Sequence, residues 1–129
     1  MGNITDPETA RKSITVSYLF ESNKERVKLS QLDGLNGFEN EISDKNLHRP
    51  GLALAGYVDL FTFDRVQIVG NTEVKYLNSL RKENAFKAFA RILDFPIPCI
   101  IITNNNELPS EMIALSDRKS IRLNSSHRT

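Results

Sequence analysis

The sequence has few of the features that mark secreted, membrane-bound or nucleic-acid-binding proteins. Its one cysteine, Cys99, excludes an internal disulfide framework and suits a reducing compartment, so we expect the chain to be cytoplasmic. The longest apolar run, Ile97 to Ile102, is interrupted by a proline and is too short to span a bilayer. Seventeen basic against sixteen acidic residues leave a net charge of +1, which gives no electrostatic reason to expect nucleic acid or a membrane as partner.

The residue patterns that carry catalysis are also missing. None of the six glycines is followed by lysine, so there is no phosphate-binding loop ending in Gly-Lys-Ser/Thr. The two histidines, His48 and His127, lie far apart without Cys or Asp at ligand spacing, so we predict no metal site and exposed loop positions for both. Cys99 is more simply a small buried hydrophobe than a nucleophile. Four carboxylates without identifiable partners are assigned solvated or capping roles: Asp44, Asp59, Asp64 and Glu73. We therefore predict no catalytic residue.

The length and composition are those of one globular domain. A chain of 129 residues can bury a sizeable core, and 40% hydrophobic with 26% charged residues is ordinary for a soluble protein. Residues 1–12 are polar and are predicted to form a loose leader.

Several short elements are predicted after the leader. Ser13 or Thr15 can cap a short helix, while the β-branched residues around Thr15 leave a strand as the alternative. The segment 27–32 alternates apolar and polar residues, which predicts a half-exposed strand. Residues 33–37 contain two glycines and predict a turn, after which residues 38–42 carry the chain back.

The rest of the chain is organised around the stretch from Leu47 to Leu80. The tripeptide Arg49-Pro50-Gly51 predicts a rigid turn, because proline fixes φ and restricts the residue before it. A short apolar segment then ends at Gly56. The aromatic residues between Tyr57 and Phe63 occupy alternate positions, which favours a strand that fills the core over an exposed aromatic platform.

A βα unit follows and supplies the candidate site. Residues 66–69 predict a buried strand that ends at a glycine, and Asn71 or Thr72 can cap the next helix. The unpaired N–H groups and the dipole at that helix start favour an anion, and Arg49 adds positive charge if the fold brings it near. The predicted ligand or anion site comprises Arg49, Gly70, Asn71, Thr72 and Glu73. The simpler interpretation is that Asn71 and Thr72 only cap the helix, with Glu73 interacting with its dipole.

The second half of the chain alternates helices with strands. Apolar residues at helical spacing between positions 85 and 93 predict a helix that ends before Pro96. Residues 98–103 predict a central strand, apolar on both faces, and residues 111–116 a short helix. This alternation predicts an α/β fold: a single layered domain with a mixed, largely parallel sheet flanked by helices.

Three segments in order resemble the amino-terminal domain of bacterial HPr kinase/phosphorylase: RPGLALAGY, RVQIVGNTE and IPCIIITNNNELPSEMIALSDR. The resemblance extends from Ile14 to Arg118, so we assign residues 13–118 to that domain. It favours the helix at the start of the domain. It also implies a fold similar to substrate-binding domains of peptidoglycan-precursor ligases, so the expectation of a small-ligand pocket rests on fold analogy alone.

The resemblance implies a function for the intact protein and a smaller role for this chain. The family phosphorylates a serine of HPr, the phosphocarrier of the sugar phosphotransferase system, with ATP or pyrophosphate, and reverses the reaction by phosphorolysis to control carbon use. ATP and Mg would bind a carboxy-terminal kinase domain that also makes most contacts of the family's homo-oligomer. We therefore expect a non-catalytic regulatory or interaction domain without a cofactor, whose partners are that kinase domain and HPr. The alternative is a free-standing sensor that binds a small ligand at the helix start after Gly70.

The last eleven residues, 119–129, support two interpretations. The resemblance predicts a further apolar strand here, which Ile121 and Leu123 supply only in part. The string DRKSIRLNSSH also resembles a tail that recurs on unrelated chains where adaptor sequence has been translated. In either case we expect the chain to be truncated.

Overall fold

The computed structural model describes residues 13–26, 28–32, 37–44, 46–59 and 61–126. Its helices are α1 (Val16–Asn23), α2 (Gly51–Leu54), α3 (Asn71–Asn78), α4 (Lys82–Ile92) and α5 (Ser110–Arg118). Its strands are β1 (Ile14–Thr15), β2 (Leu29–Gln31), β3 (Glu41–Ile42), β4 (Leu47–His48), β5 (Val66–Val69), β6 (Cys99–Ile102) and β7 (Arg122–Ser126). The predicted leader, residues 33–36 of the predicted turn, and His127 lie outside the described residues.

Within the described residues, five strands form one mixed sheet in the order β2-β7-β6-β5-β4. Strands β4 to β7 run parallel to one another, and β2 is antiparallel to β7. β1 and β3 form a separate antiparallel pair. The predicted fold class, an α/β domain with a mixed and largely parallel sheet flanked by helices, is confirmed. The strand predicted to be central, β6, is hydrogen-bonded on both sides.

The two faces of the sheet bury separate apolar clusters. On one face, residues of β5, β6 and β7 pack against buried residues of α2, α3, α4 and α5, with Phe89 and Ile92 fully buried. On the other face, Val66 and Cys99 pack with Val16 of α1 and Ile42 of β3. Because side chains alternate along a strand, two covered faces require the near-continuous apolar run that β6 carries.

The amino-terminal segment contains both a short strand and a helix, the two alternatives that its sequence allows. Ile14 and Thr15 pair with β3, and the Thr15 hydroxyl then accepts a hydrogen bond from Tyr18 N at 3.1 Å. This side-chain cap satisfies one of the free N–H groups at the start of α1. The predicted helix is therefore present, with Val16 and Phe20 on its buried side.

The aromatic segment differs from its prediction. In the described part of residues 57–63 there is no strand. Phe61 is buried, with its ring centroid 5.1 Å from that of Phe95, but the Tyr57 side chain is 72% exposed. The helical turn α2 explains the difference, because Tyr57 N bonds back to Leu52 O at 2.9 Å and closes a turn through Gly56, whose φ is +110°. The positive φ ends the apolar segment at Gly56, as the sequence predicts.

Residues 122–126 form the strand β7 between β2 and β6. All five residues of this strand are buried, although only Leu123 is apolar. The position is that of the further strand which the family resemblance implies. Both interpretations of residues 119–129, a native strand and a translated adaptor, stay predictions.

None of the helices in the described part of the chain combines the length and hydrophobicity that crossing a bilayer requires.

Candidate functional site

The predicted site residues lie at the carboxyl edge of the parallel strands. Arg49 directly follows β4, and Gly70 directly follows β5. Thr103 follows β6, and its N–H bonds to Val69 O at 3.1 Å, so the parallel ladder extends to this level. The carboxyl ends of parallel strands meet at one edge of a sheet, so the residues that follow β4, β5 and β6 lie side by side. The fold therefore does bring Arg49 to the start of α3.

Glu73 connects these residues. Its side chain is only 3% exposed, and its Oε1 lies 3.0 Å from Arg49 Nη2 and 2.9 Å from Gly70 N. Arg49 Nε lies 3.4 Å from the other carboxylate oxygen, so the guanidinium and carboxylate face each other through two atoms each. Glu73 thus occupies the position at the helix start where an external anion would bind.

The charges of this pair are mutually stabilised. Burial alone would raise the pKa of Glu73, but hydrogen bonds from the Arg49 guanidinium and from Gly70 N–H outweigh it, so the pKa lies below its ordinary value. The hydrogen bond to Glu73 likewise raises the pKa of Arg49. Both groups are charged at neutral pH, and the Arg49 side chain remains 58% exposed on its outer side.

Neither Asn71 nor Thr72 occupies the helix-cap position that the sequence predicted for one of them. The cap position is Gly70, and both residues are exposed members of the first turn of α3. Gly70 has no side chain that could cap the helix, and Glu73 performs this role by folding back onto Gly70 N–H. The structure therefore brings Arg49, Gly70 and Glu73 into contact and leaves Asn71 and Thr72 beside them.

Two residues at this edge have no role in the sequence prediction. A Cβ on Gly70 would lie 3.0 Å from Thr103 Oγ1, and Asn106 Nδ2 donates to Asn71 Oδ1 at 2.9 Å. Both belong to the polar segment after β6. The signal that identifies them is the parallel order of β5 and β6, since neighbouring strands place the residues after them side by side.

The other candidate residues have structural partners. His48 is half-buried on β4 with its ring 5.7 Å from that of Phe61, so the prediction of an exposed loop histidine is wrong for it. Burial, and then the charge of Arg65, lower the pKa of His48. Cys99 is fully buried, which raises the pKa of its thiol to about 12. Asp44 forms an ion pair with Arg65, with 3.2 Å between the carboxylate and Nε.

The described residues contain no group of three His, Cys, Asp or Glu side chains that could hold a metal ion. A cavity of about 250 Å³ lies between α3, α4 and the start of α5, and its lining includes Leu77, Phe86 and Met112. None of the predicted site residues lines this cavity. The chemistry available at the carboxyl edge is charge pairing and hydrogen bonding.

A family model and curated relatives both point to HPr kinase/phosphorylase. The family model described as "HPr Serine kinase N terminus" matches residues 14–129. The HPr kinase/phosphorylase of Pelodictyon phaeoclathratiforme is 40% identical over 121 residues, which cover 92% of this chain and 37% of that protein. The HPr kinase/phosphorylase of Chloroherpeton thalassium is 43% identical over 122 residues, covering 92% and 36%. The chain thus spans little more than a third of these relatives.

A solved structure shares the fold. It contains the CBS and DRTGG domains of the regulatory region of Clostridium perfringens pyrophosphatase, complexed with the activator diadenosine tetraphosphate. The TM-score is 0.61 at 12% sequence identity, and the similarity covers 99% of this chain and 48% of that one. At that identity the likeness concerns the fold alone.

The match of the family model over residues 14–129 shows that the chain belongs to the family of HPr serine kinase amino-terminal domains.

Proposed function

We propose that this chain is a non-catalytic regulatory or interaction domain of a cytoplasmic HPr serine kinase/phosphorylase. The observation that carries the proposal is the family match, together with the fact that the chain spans 37% of a relative with that name. A part of that size leaves room for a separate kinase domain. The sequence supports the same division, because no glycine in it is followed by lysine.

For the intact protein we propose the activity that the relatives' name states. The missing kinase domain would bind ATP and Mg, phosphorylate a serine of HPr, and reverse that step by phosphorolysis. This activity would contribute to carbon catabolite repression, and the intact protein would be a homo-oligomer. We propose that this chain binds no cofactor. Its proposed partners are the kinase domain of the same protein and, in the intact enzyme, HPr.

The geometry at the carboxyl edge supports a non-catalytic role. The buried Glu73 carboxylate, bound to Gly70 N–H and Arg49, fills the site that a phosphate group would need. Like charges repel, so a phosphate would have to displace this carboxylate before it reached the N–H groups. Over the described ranges of the chain, the carboxyl edge therefore offers a nucleotide phosphate no free anion site, which supports a non-catalytic role.

Phosphoryl-transfer assays test the proposal. The chain of 129 residues, incubated with ATP, Mg and HPr, should give no phosphoserine, whereas the full-length protein should give it readily. A full-length variant that lacks residues 14–126 should retain transfer but change its ratio of kinase to phosphorylase activity. Phosphoserine formed by the chain alone would refute the non-catalytic role, and an unchanged ratio in the deletion variant would refute the regulatory one.

The second candidate is a ligand sensor that uses the helix start after Gly70, with Arg49, Asn71, Thr72 and Glu73. Its support is the fold shared with a regulatory region that binds a nucleotide activator. A thermal-shift screen with diadenosine tetraphosphate, nucleotides, phosphorylated sugars and peptidoglycan precursors tests it, because a ligand that binds only the folded state raises Tm. A Tm that none of these compounds changes would count against the sensor.

A further inference from the structure

The helical turn α2 lies within an uncharged stretch of the sequence. The sequence from Pro50 to Val58 contains no charged residue. Four residues within it are exposed and form what we call the α2 patch: Leu52, Ala55, Gly56 and Tyr57. The side chains of Leu52 and Tyr57 are 73% and 72% exposed, more than any other large hydrophobic side chain in the described part of the chain. Exposed apolar side chains that share one uncharged segment are one mark of a docking surface.

The α2 patch is held rigidly. Between its exposed residues, Ala53 and Leu54 are 2% and 0% exposed and belong to the apolar cluster between the sheet and helices α2 to α5. The hydrogen bond from Tyr57 N to Leu52 O, at 2.9 Å, fixes the spacing of the two large side chains. A surface that is already ordered loses little conformational entropy when a partner covers it.

Arginines border the α2 patch. Arg91 Nη1 donates to Leu54 O at 3.0 Å and lies 3.5 Å from the position that a Cβ on Gly56 would take. Arg49, 58% exposed, immediately precedes Pro50. Tyrosine and arginine are among the residues enriched at the positions that dominate binding energy in protein interfaces. The patch therefore fits a partner with an apolar centre and carboxylates at its rim.

The size of the patch argues against a second copy of this chain as partner. Two large side chains and two small residues expose at most a few hundred Å², whereas a stable interface between separate molecules buries about 1,200–2,000 Å² in total. A small contact suffices when the partner is tethered, because a short linker holds it at an effective concentration of about 1 mM.

The path of the chain brings a tethered partner to the side of the domain that carries the α2 patch. β7 is parallel to β4, and the family model matches through residue 129, so a chain that continues beyond β7 leaves from the same carboxyl edge where α2 begins. Three strand spacings separate β7 from β4, a distance of roughly 14 Å that about five extended residues can span. The curated relatives contain nearly two thirds of their length outside the matched part.

We propose that the α2 patch is the docking surface on this domain for the carboxy-terminal remainder of the same polypeptide in the full-length protein. The inference rests on the proposed function only in that the native chain continues into a further domain. Leu52 and Tyr57 insert into an apolar depression of that domain, and carboxylates at its rim meet Arg91 and Arg49. The contact fixes the orientation of the two domains, as a regulatory role requires.

Cysteine labelling in the full-length protein tests this docking. A Leu52→Cys variant should react with a maleimide at least tenfold more slowly in the full-length protein than in the chain of 129 residues. A matched control, Lys75→Cys, places a thiol on the exposed side of α3 and should react at the same rate in both. The native Cys99 is fully buried and contributes little background. Equal rates for Leu52→Cys in the two proteins would overturn the proposal.

A second set of variants separates docking from other causes of protection. Adding Tyr57→Asp to full-length Leu52→Cys should restore fast labelling, because it places a charge in the apolar contact, whereas adding Tyr57→Phe should not. Protection that disappears on dilution would show a second molecule on the patch and would also overturn the proposal. Labelling does not depend on phosphoryl transfer, so a failed HPr assay with a protected Leu52→Cys would refute the proposed function and leave docking intact.

Discussion

Arg49 and Glu73, 24 residues apart in sequence, form an ion pair of 3.0 Å between Nη2 and Oε1. The pair joins the turn after β4 to the first turn of α3, while the same carboxylate oxygen accepts a hydrogen bond from Gly70 N at 2.9 Å. One buried side chain thus serves as helix cap and as counterion, and it connects two neighbouring strand ends. The stability of this edge and its response to pH therefore depend on Glu73.

Replacing Glu73 by glutamine should lower the free energy of unfolding by about 1–2 kcal/mol at neutral pH, because a charge-assisted contact with Arg49 and the helix dipole is lost. Urea denaturation measures this effect. Glu107→Gln, at an exposed position in the loop before α5, is the matched control and should change stability little.

The same variant should flatten the acid side of the stability profile. The folded-state pKa of Glu73 lies below its ordinary value of 4.5, so its contribution is complete above that value and is lost as the pH falls through the folded pKa. The difference between wild type and Glu73→Gln should therefore shrink when denaturation is repeated at about pH 3. A constant difference at both pH values would show that ionisation of Glu73 is irrelevant to stability.

Replacing Gly37 by alanine should destabilise the chain by about 2–4 kcal/mol, because the substitution combines backbone strain with a clash. Gly37 has a φ of +90°, and a Cβ there would lie 2.7 Å from Ser120 O and 3.0 Å from Arg122 N. Gly51→Ala is the control, since its Cβ would meet only Glu73 Oε2 at 3.6 Å and alanine is favoured in a helix. Thermal or urea unfolding should show a loss for the first variant and none for the second. Equal stabilities would contradict the packing of Gly37 on the start of β7.

Replacing Asn124 by valine should stabilise the chain by about 1–2 kcal/mol. Asn124 is fully buried in β7 opposite Ile101, and both polar atoms of its side chain lack a hydrogen-bond partner among the residues that the structure describes. Valine has a similar size and high strand propensity, so it removes the desolvation cost without a large cavity. Asn84→Val, at an exposed position of α4, should have little effect. A loss of stability in Asn124→Val would indicate that the amide has a partner.

Cys99 should resist thiol reagents in the native chain. Its side chain is fully buried, and burial raises the pKa of its thiol to about 12, so little thiolate forms at neutral pH and reagents have no access. The labelling rate should rise with urea in parallel with unfolding, whereas an exposed thiol introduced by Lys75→Cys should react at once under native conditions. Rapid native labelling of Cys99 would contradict its buried position.

The sequence determined the elements of the second half of the chain because their patterns are local. The apolar run before Gly70, the helical spacing between positions 85 and 93, and the apolar segment 98–103 each predict one element, and β5, α4 and β6 are present there. Turn residues also act locally, so the stop at Gly56 follows from the sequence. The alternation of these elements was sufficient to predict the largely parallel sheet.

Only the tertiary structure decided which residues meet. Strand order brings Arg49 onto Glu73 and Thr103 beside Gly70, and no periodicity within either segment specifies such a contact. The exposure of Tyr57, the partial burial of His48 against Phe61, and the place of the polar strand β7 inside the sheet likewise depend on which element covers which. The physical reason is that propensity and patterning act over a few neighbouring residues, whereas burial and charge pairing are set by segments far apart in the chain.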